Sequence, residues 1–114
     1  MSAPRRGEVW LVGLDPVKGH EQAGVRPALV LSVDTFNASA AGLVTVLPIT
    51  GTQRALGTRV DVAPPEGGLV KPSYIICEQT RTVSAHRLVK GPLGVVTAAT
   101  MGRVEGIVRV LLGL

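Results

Sequence analysis

Apolar runs and polar breaks alternate along this chain at the length of short β-strands, until the last segment changes period. Residues 9–14 are apolar at nearly every position, which predicts a strand covered on both faces. Asp15-Pro16 ends it, because proline lacks the donor a ladder needs. Residues 18–27 hold Lys18, His20, Glu21, Gln22 and Arg26 among glycines, and predict a loop longer than a hairpin requires. Pro27 opens a second apolar strand over 28–33. Residues 34–41, small and polar around Phe36, predict a turn or a short helix. A third strand over 43–47 is expected to halt at Pro48, with Ile49 and Thr50 continuing briefly before a polar loop at 51–57.

Residues 58–62 alternate polar and apolar, the pattern of a half-exposed strand. Pro64-Pro65 and Gly67-Gly68 mark a turn, and 73–78 predict another strand. Residues 79–83 stay extended but turn polar, and 84–87 predict a turn with one helical step. Gly91-Pro92 interrupts 88–96, so that segment is a strand pair or one bent strand. From Thr97 on, Met101, Val104, Ile107, Val108, Leu111 and Leu112 fall on one helical face. Thr97 suits an N-cap and Gly113 a C-terminal stop. Gly102 and Gly106 each cost about 1 kcal/mol relative to Ala, so this helix needs packing against the sheet. The fold class is mainly β with a C-terminal helix, a small and strongly bent sheet or partial barrel, in one domain over 1–114.

Composition sharpens this picture. Hydrophobic residues make up 46% of the chain but aromatics only 3%, so Val, Leu, Ile and Ala must build the core. Three aromatics, Trp10, Phe36 and Tyr74, are too few for an extended base-stacking platform. The net charge of +4 favours an anionic partner, although the basic residues form no run. The single cysteine, Cys77, lies in an apolar run and reads as a buried, inert thiol. No apolar stretch has the length of a signal peptide or a membrane span, so a cytoplasmic protein with no membrane partner is expected.

The usual hydrolase, phosphate-loop, zinc-protease and dinucleotide signatures are absent. His20-Glu21 is followed by Gly24 where a zinc protease needs a second His, so neither a metal nor a cofactor is expected. Polar residues instead gather just outside the apolar strands. His20, Glu21, Gln22 and Arg26 lie on the first loop, Thr50 follows the third strand, and Glu78, Gln79 and Arg81 follow the strand containing Cys77. Brought to one side of a sheet, they would suit an anionic ligand. Arginines fork onto phosphate oxygens, threonine donates a hydroxyl, and an imidazole moves protons near neutral pH. The plainer readings are surface ion pairs (Glu78 with Arg81 among them) and, for Thr50, a turn residue.

In order along the chain stand Arg6-Gly7-Glu8-Val9-Trp10, Leu14-Asp15-Pro16, Gly19-His20-Glu21-Gln22, Arg26-Pro27, Pro48-Ile49-Thr50 and Cys77-Glu78-Gln79-Thr80-Arg81-Thr82. With these segments and its closing helix, the chain resembles the MazF/PemK family of type II toxins, most closely the Kid/PemK-like branch. The resemblance implies an SH3-like small barrel of the MazF/PemK/CcdB-like kind, acting as a homodimer. It implies a metal-independent endoribonuclease that cuts single-stranded RNA by 2′-OH attack, and a cognate antitoxin with an acidic, partly disordered tail. Arg26 and Thr50 match the family's active-site pair, His20 a residue that steadies the transition state, and Glu78 the position of a base. The loops carrying Lys18, Glu21, Gln22, Gly24 and Arg54, with Gln79 and Arg81, are the implied RNA contacts. Ile76 stands where that branch has an arginine acting as acid, which leaves Arg26 as the better candidate for that role. The alternative is a non-catalytic, CcdB-like poison of DNA gyrase. Those proteins carry a tryptophan near the C-terminus, whereas this chain ends Leu111-Leu112-Gly113-Leu114.

Overall fold

The computed structural model describes residues 3–114. Seven strands form one antiparallel sheet: β1 (Glu8–Gly13), β2 (Val25–Val30), β3 (Leu43–Thr50), β4 (Arg59–Val62), β5 (Ser73–Ile76), β6 (Arg81–Ser84) and β7 (Leu88–Val95). A short helix α1 (Asp34–Asn37) links β2 to β3, and helix α2 (Ala98–Leu112) closes the chain. The strand order is β4-β5-β3-β2-β1-β7, with β6 also paired to β3.

β3 holds this sheet together. One edge carries β2, in register from Ala28↔Pro48 to Val30↔Val46. The other edge is shared. Its first half takes β6, from Leu43↔Ser84 to Val46↔Arg81, and its last residues take β5, at Ile49↔Ile75 and Thr50↔Tyr74. The expected halt at Pro48 does not occur, and β3 runs through to Thr50. Pro48 falls where β3 exchanges β6 for β5, so its missing N–H interrupts no continuous ladder on that edge. The expected strand boundary near Pro27 also moves. β2 begins at Val25, and Arg26 and Pro27 are strand residues opposite Val12 and Leu11.

Both faces of the central strands are covered, as the unbroken apolar runs predict. Val9, Leu29, Leu47 and Ile49 pack with Val60, Val62 and Ile75 beneath α2, which contributes Val104 and Val108. Trp10, Val12, Ala28, Val30, Val44 and Val46 point the other way, where Leu14 and Val83 complete a second cluster. The alternation follows from the two-residue period of a strand. The predicted face of α2 is buried only through Val108. Leu111 and Leu112 are 43% and 58% exposed.

β7 is one bent strand, with register shifts against β1 between Val9 and Leu11 and between Leu11 and Val12. Gly91 lies flat against the Trp10 indole, and a Cβ there would come within 2.5 Å of a ring carbon. Helix α2 begins on the N-cap Thr97, whose hydroxyl accepts from the Thr100 N–H at 3.1 Å. The Thr97 N–H in turn donates to Glu66 Oε2 at 2.9 Å, tying the helix start to the turn after β4. Burial raises the Glu66 carboxyl, but hydrogen bonds from Thr100 and Thr97 and the charge of Arg103 outweigh it and hold the group below its ordinary 4.5.

Thr97→Ala should therefore lower stability by about 1 kcal/mol in urea denaturation at neutral pH. Because the folded Glu66 is lowered, its contribution is fully present above 4.5 and fades as pH falls through the folded value. A Glu66→Gln variant should be less stable than the parent at pH 7 and should converge with it in acid. Parallel denaturation curves across pH check both statements.

Candidate active site

The polar connection between β1 and β2 is fastened along its length. The Leu14 N–H donates to the Gly24 carbonyl at 2.9 Å, and Gly24 adopts a φ of 76°, a conformation a side chain resists. Lys18 and Glu21 form a tight turn, with the Lys18 N–H donating to Glu21 Oε1 at 2.8 Å. Gln79 then clamps the loop from below. Its Oε1 accepts from the Gln22 N–H at 2.8 Å, and its Nε2 donates to the His20 carbonyl at 3.2 Å. Arg81 Nη1 donates to the Leu14 carbonyl at 3.1 Å, and Arg87 Nη1 donates to the carbonyls of Gly13 and Asp15. The sequence reading made Gln79 and Arg81 RNA contacts. The structure commits both amide atoms of Gln79, and one guanidinium nitrogen of Arg81, to shaping the loop. His20 is left exposed on that loop with its main chain fixed.

Arg26 and Thr50 lie on the adjacent strands β2 and β3, each two residues beyond the last paired residues, Ala28↔Pro48. Arg26 is exposed and donates through Nε to the Ala23 carbonyl at 3.0 Å, while its terminal nitrogens have no partner among the described residues. Thr50 is 4% exposed, and its oxygen accepts from the Thr52 N–H at 3.2 Å. Thr50 is a strand residue and not a turn residue, although its oxygen holds the turn that follows, and the hydroxyl hydrogen remains available to donate. Lys71 covers the same turn, since a Cβ on Gly51 would lie 2.8 Å from Lys71 Cε and 2.9 Å from Nζ.

Glu78 does not pair with Arg81. It sits on a single 3₁₀ turn (Cys77–Gln79) after β5 and faces Arg59 of β4. Arg59 Nε and Nη2 both donate to Glu78 Oε2, at 3.1 and 2.9 Å, and the Thr58 hydroxyl donates to Oε1 at 2.8 Å. The Arg59 side chain is 6% exposed and that of Glu78 26%. Burial raises the Glu78 carboxyl, but the Arg59 hydrogen bonds, a backbone donor and Thr58 outweigh it, so it stays below the ordinary carboxyl value. Both oxygens are occupied, which suits an anchor better than a proton acceptor. Arg59 is the cross-strand partner of Ile76, so a guanidinium does reach this corner, from β4 and not from β5. Cys77 is buried beside it, and burial and then the Glu78 charge push its thiol up to about 11.

Two open clefts meet at this corner. His20, Glu21, Arg54, Arg59, Glu78 and Gln79 line one. Gln53, Arg54, Arg59, Asp61 and Tyr74 line the other. The structure thus brings His20, Glu21, Arg54, Glu78 and Gln79 together. Arg26 and Thr50 line neither cleft, and Thr50 pairs with Tyr74, a lining residue of the second. Lys18 is exposed at the loop's edge, and Gln22 and Gly24 are half-buried within it. Arg59, Lys71 and Tyr74 were missed by the sequence reading. The alternation of Thr58-Arg59-Val60-Asp61 put Arg59 on the polar face of β4, but nothing in the sequence matched it to Glu78.

Residues 5–112 match the family model of PemK-like, MazF-like toxins of type II toxin–antitoxin systems. The chain is 35% identical to endoribonuclease MazF9 of Mycobacterium tuberculosis, with 96% of this chain and 97% of that protein covered. Among solved structures it is similar to MazF from Deinococcus radiodurans, with a TM-score of 0.88 at 27% identity and both chains covered in full. It is also similar to a mycobacterial endoribonuclease in complex with its cognate antitoxin, with a TM-score of 0.80 at 28% identity, covering 98% of this chain and 97% of that one.

Because the folded Glu78 carboxyl is lowered, its pairing stabilises the protein above pH 4.5 and is lost as pH falls through the folded value. Glu78→Gln should therefore unfold more readily than the parent at pH 7, and the gap should close in acid. Thermal unfolding of both proteins between pH 3 and 7 measures this.

Proposed function

The chain belongs to the PemK-like, MazF-like toxin family of type II toxin–antitoxin systems, and we propose that Arg26, Thr50 and His20 are the groups with which it cleaves RNA. The protein is an endoribonuclease toxin. Its substrate is single-stranded RNA and its partner a cognate antitoxin with an acidic tail, which the charge of +4 would attract. It works as a homodimer in the cytoplasm. Among the described residues no helix is long and apolar enough to cross a membrane.

The reaction begins when the ribose 2′-OH attacks the adjacent phosphorus. The bond from phosphorus to the 5′ oxygen breaks, leaving a 2′,3′-cyclic phosphate and a 5′-OH end. The observation that most supports this reading is that Arg26, with unengaged terminal nitrogens, and Thr50, with a free hydroxyl hydrogen, lie on the adjacent strands β2 and β3, each two residues past the pair Ala28↔Pro48. Both donors suit the charge that develops on the phosphorane oxygens, and holding them on paired strands avoids reorganisation during the reaction. His20 takes the 2′-OH proton, because its imidazole is exposed on a fixed main chain whereas both Glu78 oxygens are occupied. Arg26 stabilises charge and does not act as the acid, since a guanidinium keeps its proton in a protein. The leaving 5′ oxygen takes its proton from solvent. No step uses a metal ion.

The gyrase-poison reading is not favoured. The one tryptophan, Trp10, is packed in the second core cluster under the Gly91 backbone, far in sequence from the C-terminus.

Arg26→Ala should reduce cleavage of a long RNA about 10²–10³-fold, the usual cost of one lost charge-stabilising donor, with an unchanged circular dichroism spectrum. A 2′-deoxy substitution at the cut site removes the nucleophile, so cleavage there should stop while binding persists. Cutting at the deoxy position would exclude the 2′-OH mechanism.

A further inference from the structure

We propose that Lys71 is a further catalytic residue, whose ammonium offsets the charge that develops on the leaving 5′ oxygen. This rests on the endoribonuclease reading above. Arg26, Thr50 and His20 leave that oxygen without a protein contact, although it receives the electron pair of the broken bond. Lys71 lies on the connection into β5, and its carbonyl accepts from the hydroxyl of the buried Ser73 at 2.8 Å, which fixes the main chain just before the strand. Thr50, at the end of β3, pairs with Tyr74 of that strand. Lys71 is thereby brought over the turn that follows Thr50. A Cβ on Gly51 would lie 2.8 Å from Lys71 Cε and 2.9 Å from Nζ, so the ammonium rests against the main chain next to Thr50. Gly51 is not among the glycines of positive φ, so what it supplies here is space and not backbone freedom. Nζ has no hydrogen-bond or ion-pair partner among the described residues.

The placement suits an in-line displacement, in which the attacking and leaving oxygens lie on opposite sides of the phosphorus. Gln79 ties the His20 main chain to the turn that follows β5, whereas Lys71 precedes β5. At about 3.3 Å per residue, the four-residue strand holds these two ends about 10 Å apart. His20 and Lys71 thus reach a phosphate bound by Arg26 and Thr50 from opposite ends of β5. As the bond from phosphorus to the 5′ oxygen breaks, its electron pair passes to that oxygen and the ammonium donates a hydrogen bond to it. The proton that completes the 5′-OH still comes from solvent. Lys71 supplies charge, placed in advance where the charge develops.

The test is single-turnover cleavage, with protein in excess, of two short RNAs that differ at one atom. One is natural at the mapped cut site, and the other has sulfur in place of the bridging 5′ oxygen. A thiolate is a far weaker base than an alkoxide and leaves without such help. Lys71→Gln should slow the oxygen substrate about 10²-fold, the usual cost of one charge-stabilising donor, and should leave the sulfur substrate within about twofold of the parent rate. Lys71→Arg should recover most of the loss. Gly51→Ala should show the same selective loss with the lysine present, because the added methyl displaces the flexible end of that side chain. Arg26→Ala should slow both substrates, since it serves the other phosphorane oxygens. Equal slowing of both substrates by Lys71→Gln, or a parental rate on the oxygen substrate, overturns this role and leaves the cleavage reading intact. A parent protein that cuts no RNA overturns both.

Discussion

One strand has to serve three partners, and the site exists because it does. β3 pairs with β2 along one edge and passes from β6 to β5 along the other. Had it stopped at Pro48, Thr50 would lie on a loose loop. As an ordered strand end, Thr50 is buried and pairs with Tyr74 of β5, two residues past the Ala28↔Pro48 pairing with the strand that carries Arg26. The proline is tolerated because it falls at the change of partners. The geometry of the chemical groups therefore follows from a packing requirement: both faces of β1, β2 and β3 must be covered.

The second constraint is the satisfaction of backbone groups in a long polar connection. A loop with no partners would wander, and its exposed His20 would have no fixed position. Gln79, Arg81 and Arg87 supply the missing donors and acceptors from neighbouring elements. These side chains shape the loop that carries His20, and in the proposed mechanism they act through it. The Arg59–Glu78 pair serves the other wall in the same way. It is partly shielded, shares its charge with Thr58, and keeps a cation at the meeting point of two clefts.

Much of this was legible in the sequence. Period and punctuation placed the strands, the bent β7 and the terminal helix with its Thr97 and Gly113 caps. The ordered short motifs identified the family, which the match over residues 5–112 bears out. What the sequence concealed was pairing across strands. Local rules read Pro48 as a stop because they see one chain and not the exchange of β6 for β5. The same rules offered Arg81 as the partner of Glu78 because it is three residues away, whereas Arg59 is nineteen residues away and adjacent only once β4 and β5 pair. Gln79 and Arg81 also hydrogen-bond to the loop, a structural role that only tertiary structure reveals.

The central claim is that the substrate supplies its own nucleophile and that this chain supplies charge stabilisation and a base. The most direct measurement is the chemistry of the cut ends. Purified protein is incubated with a long RNA in excess chelator, and the products are analysed by mass spectrometry. The account predicts 2′,3′-cyclic phosphate and 5′-OH termini at undiminished rate. Products ending in 3′-OH and 5′-phosphate, or cleavage abolished by the chelator, would contradict it.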